Sequence, residues 1–281
     1  MNIGFLHPGA MGISLAVSAQ ATGHQVFWVP EGRSEETRVR AATYNLYELD
    51  SLAEFCQTCD IIISVCPPHA AVDVARQILE FSFEGIYADV NAISPEKAKS
   101  IHQLMTSKDI EFVDGGIIGG PAWEAKNTWL YLAGQKAAEV AACFHGGLLE
   151  TELMGPEIGK ASAIKMCFAA YTKGSTALLC AIMAAADEMG VRQDLEEQWS
   201  RNGSDFTERT HNRLQRVTAK AWRFSGEMEE IASTLKSAGQ PQGFHRAAGE
   251  IFHRISKFKG AESIPSIEDV LEALKHEFKI K

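Results

Sequence analysis

The sequence predicts an α/β fold: an N-terminal doubly wound parallel sheet of Rossmann type, followed by an all-helical part. Three observations carry this. Short apolar runs alternate with amphipathic stretches up to Gly155, a glycine-bearing turn follows the first run, and beyond Gly159 apolar residues recur at helical spacing with hardly a strand candidate.

The strands come first. Residues 2–6, 25–29, 60–65, 86–91, 111–118, 128–133 and 148–154 are too short for helices, rich in Ile, Val and Phe, and bounded by Gly, Pro or Asp. Helical patterns fill residues 10–21, 69–80, 95–105 and 135–144. Ser94-Pro95 is a good helix start: a side-chain acceptor precedes a proline whose missing N–H costs nothing at the first helical position. Strand–helix alternation at this pitch implies a parallel sheet covered on both faces. Residues 159–189 then read as one long helix of Ala, Met and Leu, and residues 241–243 and 260–265 as turns between further helices. The texture changes near Gly155-Pro156, so the domains are expected at 1–156 and 157–281.

Composition excludes several classes. The chain has 281 residues, 46% hydrophobic and 22% charged, enough for about two domains and too apolar for disorder. With 27 basic against 36 acidic residues the net charge is −9, which makes a poor partner for nucleic acid or anionic lipid. The apolar stretch at 174–186 falls short of the roughly 18–20 residues of a membrane span. The chain enters an apolar run at Ile3 without a basic leader, so no signal peptide is expected. Cysteines 56, 59, 66, 143, 167 and 180 lie mostly in apolar runs, as reduced thiols of a cytoplasmic protein would. Cys56 and Cys59 form a lone C-x-x-C with no second pair, so no metal is expected.

The turn His7-Pro8-Gly9-Ala10-Met11-Gly12 sits between the first strand and the first helix. In the register of the dinucleotide fingerprint, Gly9 and Gly12 are the second and third glycines, and His7 replaces the first. A side chain at Gly9 would block a diphosphate from the helix N-terminus, and Gly12 lets the helix pack close. The reading requires that the gap at Gly9 be open and not filled by the His7 ring. At the end of the second strand, Glu31 favours NAD through the ribose hydroxyl, whereas Arg33, Ser34, Thr37 and Arg38 favour the 2′-phosphate of NADP. Three arginines, 33, 38 and 40, tilt the expectation to NADP, with NAD possible.

Taken in order, IGFLHPGAMG, DIIISVCPP, ADVNAISPE, DGGIIGG and GKASAIKM resemble the β-hydroxyacid dehydrogenase superfamily, the relatives of 6-phosphogluconate dehydrogenase. The helical remainder, including PQGFHRAAGEIFHR, is similar to the C-terminal domain of a poorly characterised branch of that superfamily. The resemblance implies a cofactor site at Gly9, Ala10, Met11 and Gly12, with Cys66-Pro67-Pro68 as the loop passing the cofactor ribose. It implies that Asn91 stands near the nicotinamide and substrate, where relatives carry Ser or Thr. Ile118-Gly119-Gly120 stands for the Ser-Gly-Gly loop that holds a substrate carboxylate, and Lys165 for the catalytic lysine.

The residues around Lys165 suit that role. Its helix otherwise reads Ala, Ile, Met, Cys and Phe, so the ammonium is desolvated and its pKa falls toward neutrality, as a general acid/base needs. Ser162 and Thr172 share its helix face. A lysine snorkelling at the rim of a core helix is the plain alternative. Lys173 and His245 are further candidates for the substrate, against solvated and structural readings. Ile118 and Ala169 replace two polar residues of the family, which suggests a larger or less polar substrate than the usual small acids.

The expected function is NAD(P)-dependent hydride transfer at a hydroxyl-bearing carbon of a small molecule, in a cleft between the domains. The long apolar helices imply a homodimer. Two alternatives stand beside it: an imine reductase on the same scaffold, and a non-catalytic NADP-binding sensor.

Overall fold

The structure, a computed structural model, describes residues 1–275. It divides into two compact units, Met1–Met166 and a second from Cys167 onward.

The first unit carries strands β1 (Asn2–Phe5), β2 (Gln25–Trp28), β3 (Tyr47–Glu48), β4 (Ile61–Ser64), β5 (Ile86–Asp89), β6 (Glu111–Gly119), β7 (Thr128–Ala133) and β8 (Glu150–Leu153). Its helices are α1 (Ala10–Ala21), α2 (Glu35–Thr43), α3 (Leu52–Thr58), α4 (Ala71–Ile78), α5 (Pro95–Thr106) and α6 (Ala137–Ala142). One 8-stranded sheet runs in the order β3-β2-β1-β4-β5-β6-β7-β8. The order reverses beside β1, the doubly wound arrangement that places a ligand crevice at the carboxyl ends of the strands.

The triplet Ile61-Ile62-Ile63 shows how sequence makes this sheet. All three side chains are fully buried, which only a strand covered on both faces allows. Ile61 and Ile63 join Ile3, Phe5, Ile13, Leu15 and Val140 in one core, under α1 and α6. Ile62 faces the other way, with Phe55, Tyr87, Ile101 and Phe112 under α3, α4 and α5.

Two corrections to the sequence reading follow. The sheet is not wholly parallel: β6 and β7 form an antiparallel hairpin, with Ile118 opposite Trp129 and Gly119 opposite Thr128. Between β2 and β4 the sequence reading gave no element, yet β3, α2 and α3 lie there. Ser34 and Ser51 cap the two helices, accepting from Thr37 N at 3.4 Å and Glu54 N at 3.1 Å. The expected cap at Ser94 is present on α5, with Pro95 in its first turn.

The long helix α7 (Lys160–Glu188) starts in the first unit and continues into the second. By length and composition alone it could cross a membrane, contrary to the sequence expectation, with a mean hydropathy of 1.3 in its most apolar window. Of that window 39% is buried, and Ala169, Ala177, Cys180 and Met183 are among the buried residues of the helix. The second unit adds α8 (Arg192–Trp199), α9 (Phe206–Val217), α10 (Ala221–Ser237), α11 (Gly243–Arg254) and α12 (Ile267–Lys275). Phe224 and Phe252 meet edge to face at 5.4 Å where α10 packs on α11. Arg213 of α9 grips α7, with Nε donating to Thr176 Oγ1 at 2.7 Å and Nη2 to the Thr172 carbonyl at 2.6 Å.

Candidate functional site

Strand β1 leads into the turn that starts α1. Gly9 caps that helix with φ −68° and ψ −172°, ordinary extended backbone, and no side chain accepts from its first amides. A Cβ built on Gly9 meets nothing within 4 Å, so the His7 ring does not fill the gap. Neither backbone conformation nor packing within the chain requires glycine here. A Cβ on Gly12, by contrast, would lie 2.3 Å from the His7 carbonyl oxygen, so that glycine exists for packing. What remains is an open helix N-terminus, with the partial positive charge and free N–H groups that suit a phosphate.

Positive side chains gather beside it. Ser34, expected on a phosphate-binding loop, is instead the cap of α2, its hydroxyl 3.1 Å from Thr37 Oγ1. Arg38, on α2 and not in a loop, donates to the Pro30 carbonyl at 2.7 Å. Arg40 donates to the Pro8 carbonyl at 3.4 Å. Arg33 has a buried Nε with no hydrogen-bond partner. Among the described residues, none of these three arginines forms an ion pair. Burial lowers the Arg33 pKa, and burial together with Arg33 lowers His7 to about 4. An open glycine gap and an unneutralised guanidinium in a chain of net charge −9 fit a nucleotide phosphate.

Ser64, Asp89 and Asp114 lie in register across β4, β5 and β6, at the carboxyl ends of the first two and midway along the third. Asn91 is buried and fully engaged. Its Nδ2 donates to Asp89 Oδ2 at 2.9 Å and Ser64 Oγ at 3.1 Å, while its Oδ1 accepts from the backbone N–H of Cys66. Asn91 thus holds the start of the Cys66-Pro67-Pro68 loop in place and has no free side-chain donor of its own. Burial pushes Asp89 up to about 7 and the Cys66 thiol up to about 12, so Cys66 is no nucleophile.

Asp114, which the sequence reading did not single out, sets the position of α7. Its Oδ2 accepts from the amides of Gly159, Ala161 and Ser162 at 2.9, 3.0 and 3.1 Å, and its Oδ1 accepts from the Ser162 hydroxyl. A carboxylate on a helix N-terminus is favourable by about 1 kcal/mol or more, and here it also neutralises buried donors. Burial raises its pKa, opposed by those same hydrogen bonds. An acid inside the apolar run FVDGGII was the signal: such a group needs partners.

Gly115 and Gly116 let the structure close around this anchor. A Cβ on Gly116 would sit 2.5 Å from the Ala161 carbonyl oxygen and 2.9 Å from Lys165 Cβ, so β6 and α7 touch backbone to backbone. Lys165 therefore stands over β6 in the first unit. Among the described residues nothing pairs with its ammonium, and burial lowers it to about 8. That is a group able to hold or release a proton near neutrality.

Ile118 is buried, so only the backbone of this stretch can reach a ligand. Gly119 adopts φ +120°, and the Gly120 carbonyl accepts from Thr128 Oγ1 at 2.7 Å. The following loop is tied to α1. Ala122 N donates to Ser14 Oγ at 2.9 Å, and Ser14 Oγ donates to the Met11 carbonyl at 2.8 Å.

Two predicted residues lie in the second unit. Lys173 pairs with Glu227 and lies 4.3 Å over the Phe224 ring. His245 is buried against Gly174, its Nε2 3.2 Å from the Ala170 carbonyl oxygen. Both are engaged in the packing of that unit. The Cys56 and Cys59 thiols are free and raised by burial, and no group of three metal-ligating side chains occurs among the described residues.

A family model described as the NAD binding domain of 6-phosphogluconate dehydrogenase matches residues 2–144, and a domain of unknown function matches residues 186–255. An uncharacterised 28.5 kDa protein of Methanothermus fervidus is 30% identical over 168 residues, which are 59% of this chain and 64% of that one. The mitochondrial 3-hydroxyisobutyrate dehydrogenase of Drosophila melanogaster is 26% identical over 204 residues, 69% of this chain and 60% of the relative. The chain thus spans less than two thirds of the length of these curated relatives. A solved protein of unknown function, described as structurally similar to 3-hydroxyacid dehydrogenases, shares 31% identity and a TM-score of 0.69 over 92% of this chain and 97% of its own. A reductive aminase of Aspergillus terreus, solved with NADPH and ethyl levulinate, shares the fold at 13% identity and a TM-score of 0.58, over 96% of this chain and 98% of its own.

Proposed function

The chain belongs to the family of the NAD binding domain of 6-phosphogluconate dehydrogenase, and from that premise we propose that it is an NADP-preferring oxidoreductase acting at a hydroxyl-bearing carbon of a small molecule. The observation that carries this reading is Gly9, a glycine that neither strain nor packing within the chain requires, at an open helix N-terminus. Gly9 to Gly12 and the Cys66-Pro67-Pro68 loop would hold the nucleotide, and Arg33 favours the one with a 2′-phosphate. NAD remains the competing cofactor to be tested against it.

The nucleotide, when bound, supplies the hydride chemistry. Lys165 handles the proton. As an ammonium it donates to the carbonyl oxygen during reduction, and as the free amine it takes the hydroxyl proton during oxidation. Burial serves both directions, because a pKa of about 8 leaves each form populated near neutrality. Asp114 and Ser162 fix the start of the helix that carries Lys165, and the Gly119-Gly120 backbone is the candidate support for a substrate carboxylate.

The same proton would serve an imine, and the shared fold with a reductive aminase keeps that reading open. Calorimetric titration with NADP⁺ and NAD⁺, followed by a turnover screen over hydroxy acids and imines, tests the assignment. Turnover of a hydroxy acid that fails on Lys165→Ala supports it. Imine-only turnover replaces it with the second reading. Nucleotide binding without turnover in any class makes the protein a sensor, and no nucleotide binding removes the whole reading.

We further propose a cytoplasmic homodimer. Phe168, Tyr171, Leu178 and Ile182 line α7 at helical spacing and are 47%, 45% and 36% exposed at positions 168, 178 and 182, with Tyr171 at 76%. A second copy covering that stripe would remove it from water, and light scattering in solution reads the outcome. Six free thiols suit a reducing compartment.

A further inference from the structure

His7 stands where the fingerprint has its first glycine, and its side chain is not idle surface. Its Nδ1 is buried and has no hydrogen-bond partner, and the neighbouring Arg33 has a buried Nε in the same condition. Leaving a buried polar atom unpaired is costly, so two such atoms on neighbouring side chains point to something that pairs with both when bound. The His7 backbone is fixed: its carbonyl accepts from Gly9 N at 2.8 Å and lies against Gly12.

We propose that His7 and Arg33 together form a receptor for a phosphate oxyanion at the ribose end of the nucleotide, making His7 a specificity-determining residue. The inference rests on the nucleotide reading above and deepens it.

The charges facing His7 favour a phosphate over a hydroxyl. Arg33 lies beside it, Arg40 reaches the adjacent Pro8 carbonyl, and the Cys66 thiol is uncharged. No carboxylate pairs with either arginine among the described residues. Burial and Arg33 keep the imidazole neutral, so it offers an N–H without repelling the guanidinium. A phosphate accepting from both would satisfy the two orphaned atoms. NAD has no phosphate at that ribose, so the contact belongs to NADP alone.

The test is calorimetric affinity for NADP⁺ and NAD⁺ on the full chain, with thermal melts to verify folding. His7→Gly recreates the ordinary fingerprint, yet it is expected to weaken NADP⁺ by roughly ten- to a hundredfold and to shift NAD⁺ by less than about threefold. His7→Gln, which keeps an N–H donor of similar reach, is expected to retain most of the NADP⁺ preference, and it carries the test if the glycine variant does not fold. Equal losses for both nucleotides, no loss for either, or a wild-type chain that holds NAD⁺ as tightly as NADP⁺ would overturn the assignment while leaving the nucleotide reading intact. A wild-type chain that binds neither nucleotide overturns that reading, and this inference with it.

Discussion

Gly9 and Gly116 are both glycines of the first unit, and they differ in what surrounds them. Gly9 has an ordinary φ and empty space where a side chain would go, whereas Gly116 faces a backbone carbonyl 2.5 Å from its hypothetical Cβ. The second explains itself, because α7 could not approach β6 otherwise. The first has no such explanation within the chain, and its place at the start of α1, after β1, is what supports the proposed nucleotide site. A glycine that the architecture requires and one that it does not look alike in sequence and are told apart only by their surroundings.

The largest expected effect lies at the residue that packs over Gly116. Lys165→Met is expected to reduce turnover by roughly 10² to 10⁴ while leaving the melting temperature equal or higher, since a buried ammonium is removed. The pH profile sharpens this. With the lysine at about 8, reduction should slow above that pH as the donating ammonium is lost, and oxidation should rise through it. Both inflections should vanish in the variant; their survival would take the proton away from Lys165.

The contrast between the two glycines is broken most directly by filling each. Gly9→Val is expected to weaken nucleotide binding by about a hundredfold with a stability change of roughly 1 kcal/mol or less. Gly116→Ala should do the reverse to the fold, costing about 1–3 kcal/mol through overpacking, read as a lower denaturation midpoint. If Gly9→Val melted the protein or Gly116→Ala did not, the distinction would be wrong. The smallest expected effect is at Ser14, whose hydroxyl ties Ala122 to Met11. Ser14→Ala should cost about 1 kcal/mol and raise hydrogen exchange in the loop at residues 120–124.

Much of this is legible in the sequence itself. Ile61-Ile62-Ile63 announced a strand buried on both faces, and Ser94-Pro95 a helix start, because each feature is local. The helix α2 escaped because Ala41 is its only buried residue, so no apolar period exists to be read. The Ser34 cap and the acids Glu35 and Glu36 were the signal available. Ser51 and Glu54 have the spacing of a capping box, although Glu54 Oε2 accepts from Asp50 N, one residue before the cap, at 3.1 Å, and that spacing could have revealed α3. The β6–β7 reversal was not legible, since alternation along a strand carries no direction. At the site, Gly9 and Lys165 stood out by type and context. The roles of Asp114, Asn91 and Arg33 depended on partners far away in the chain, or on the lack of any.

Asp114 fixes more than an end of a helix. Each residue along α7 advances the side-chain direction by about 100°, so a slip of one position past the carboxylate would swing the lysine from the sheet to a flank. Because one acid grips the amides of Gly159, Ala161 and Ser162 together, the rotational phase of α7 is clamped within its first turn. The bearing of the ammonium is thus set by a carboxylate at the start of its own helix.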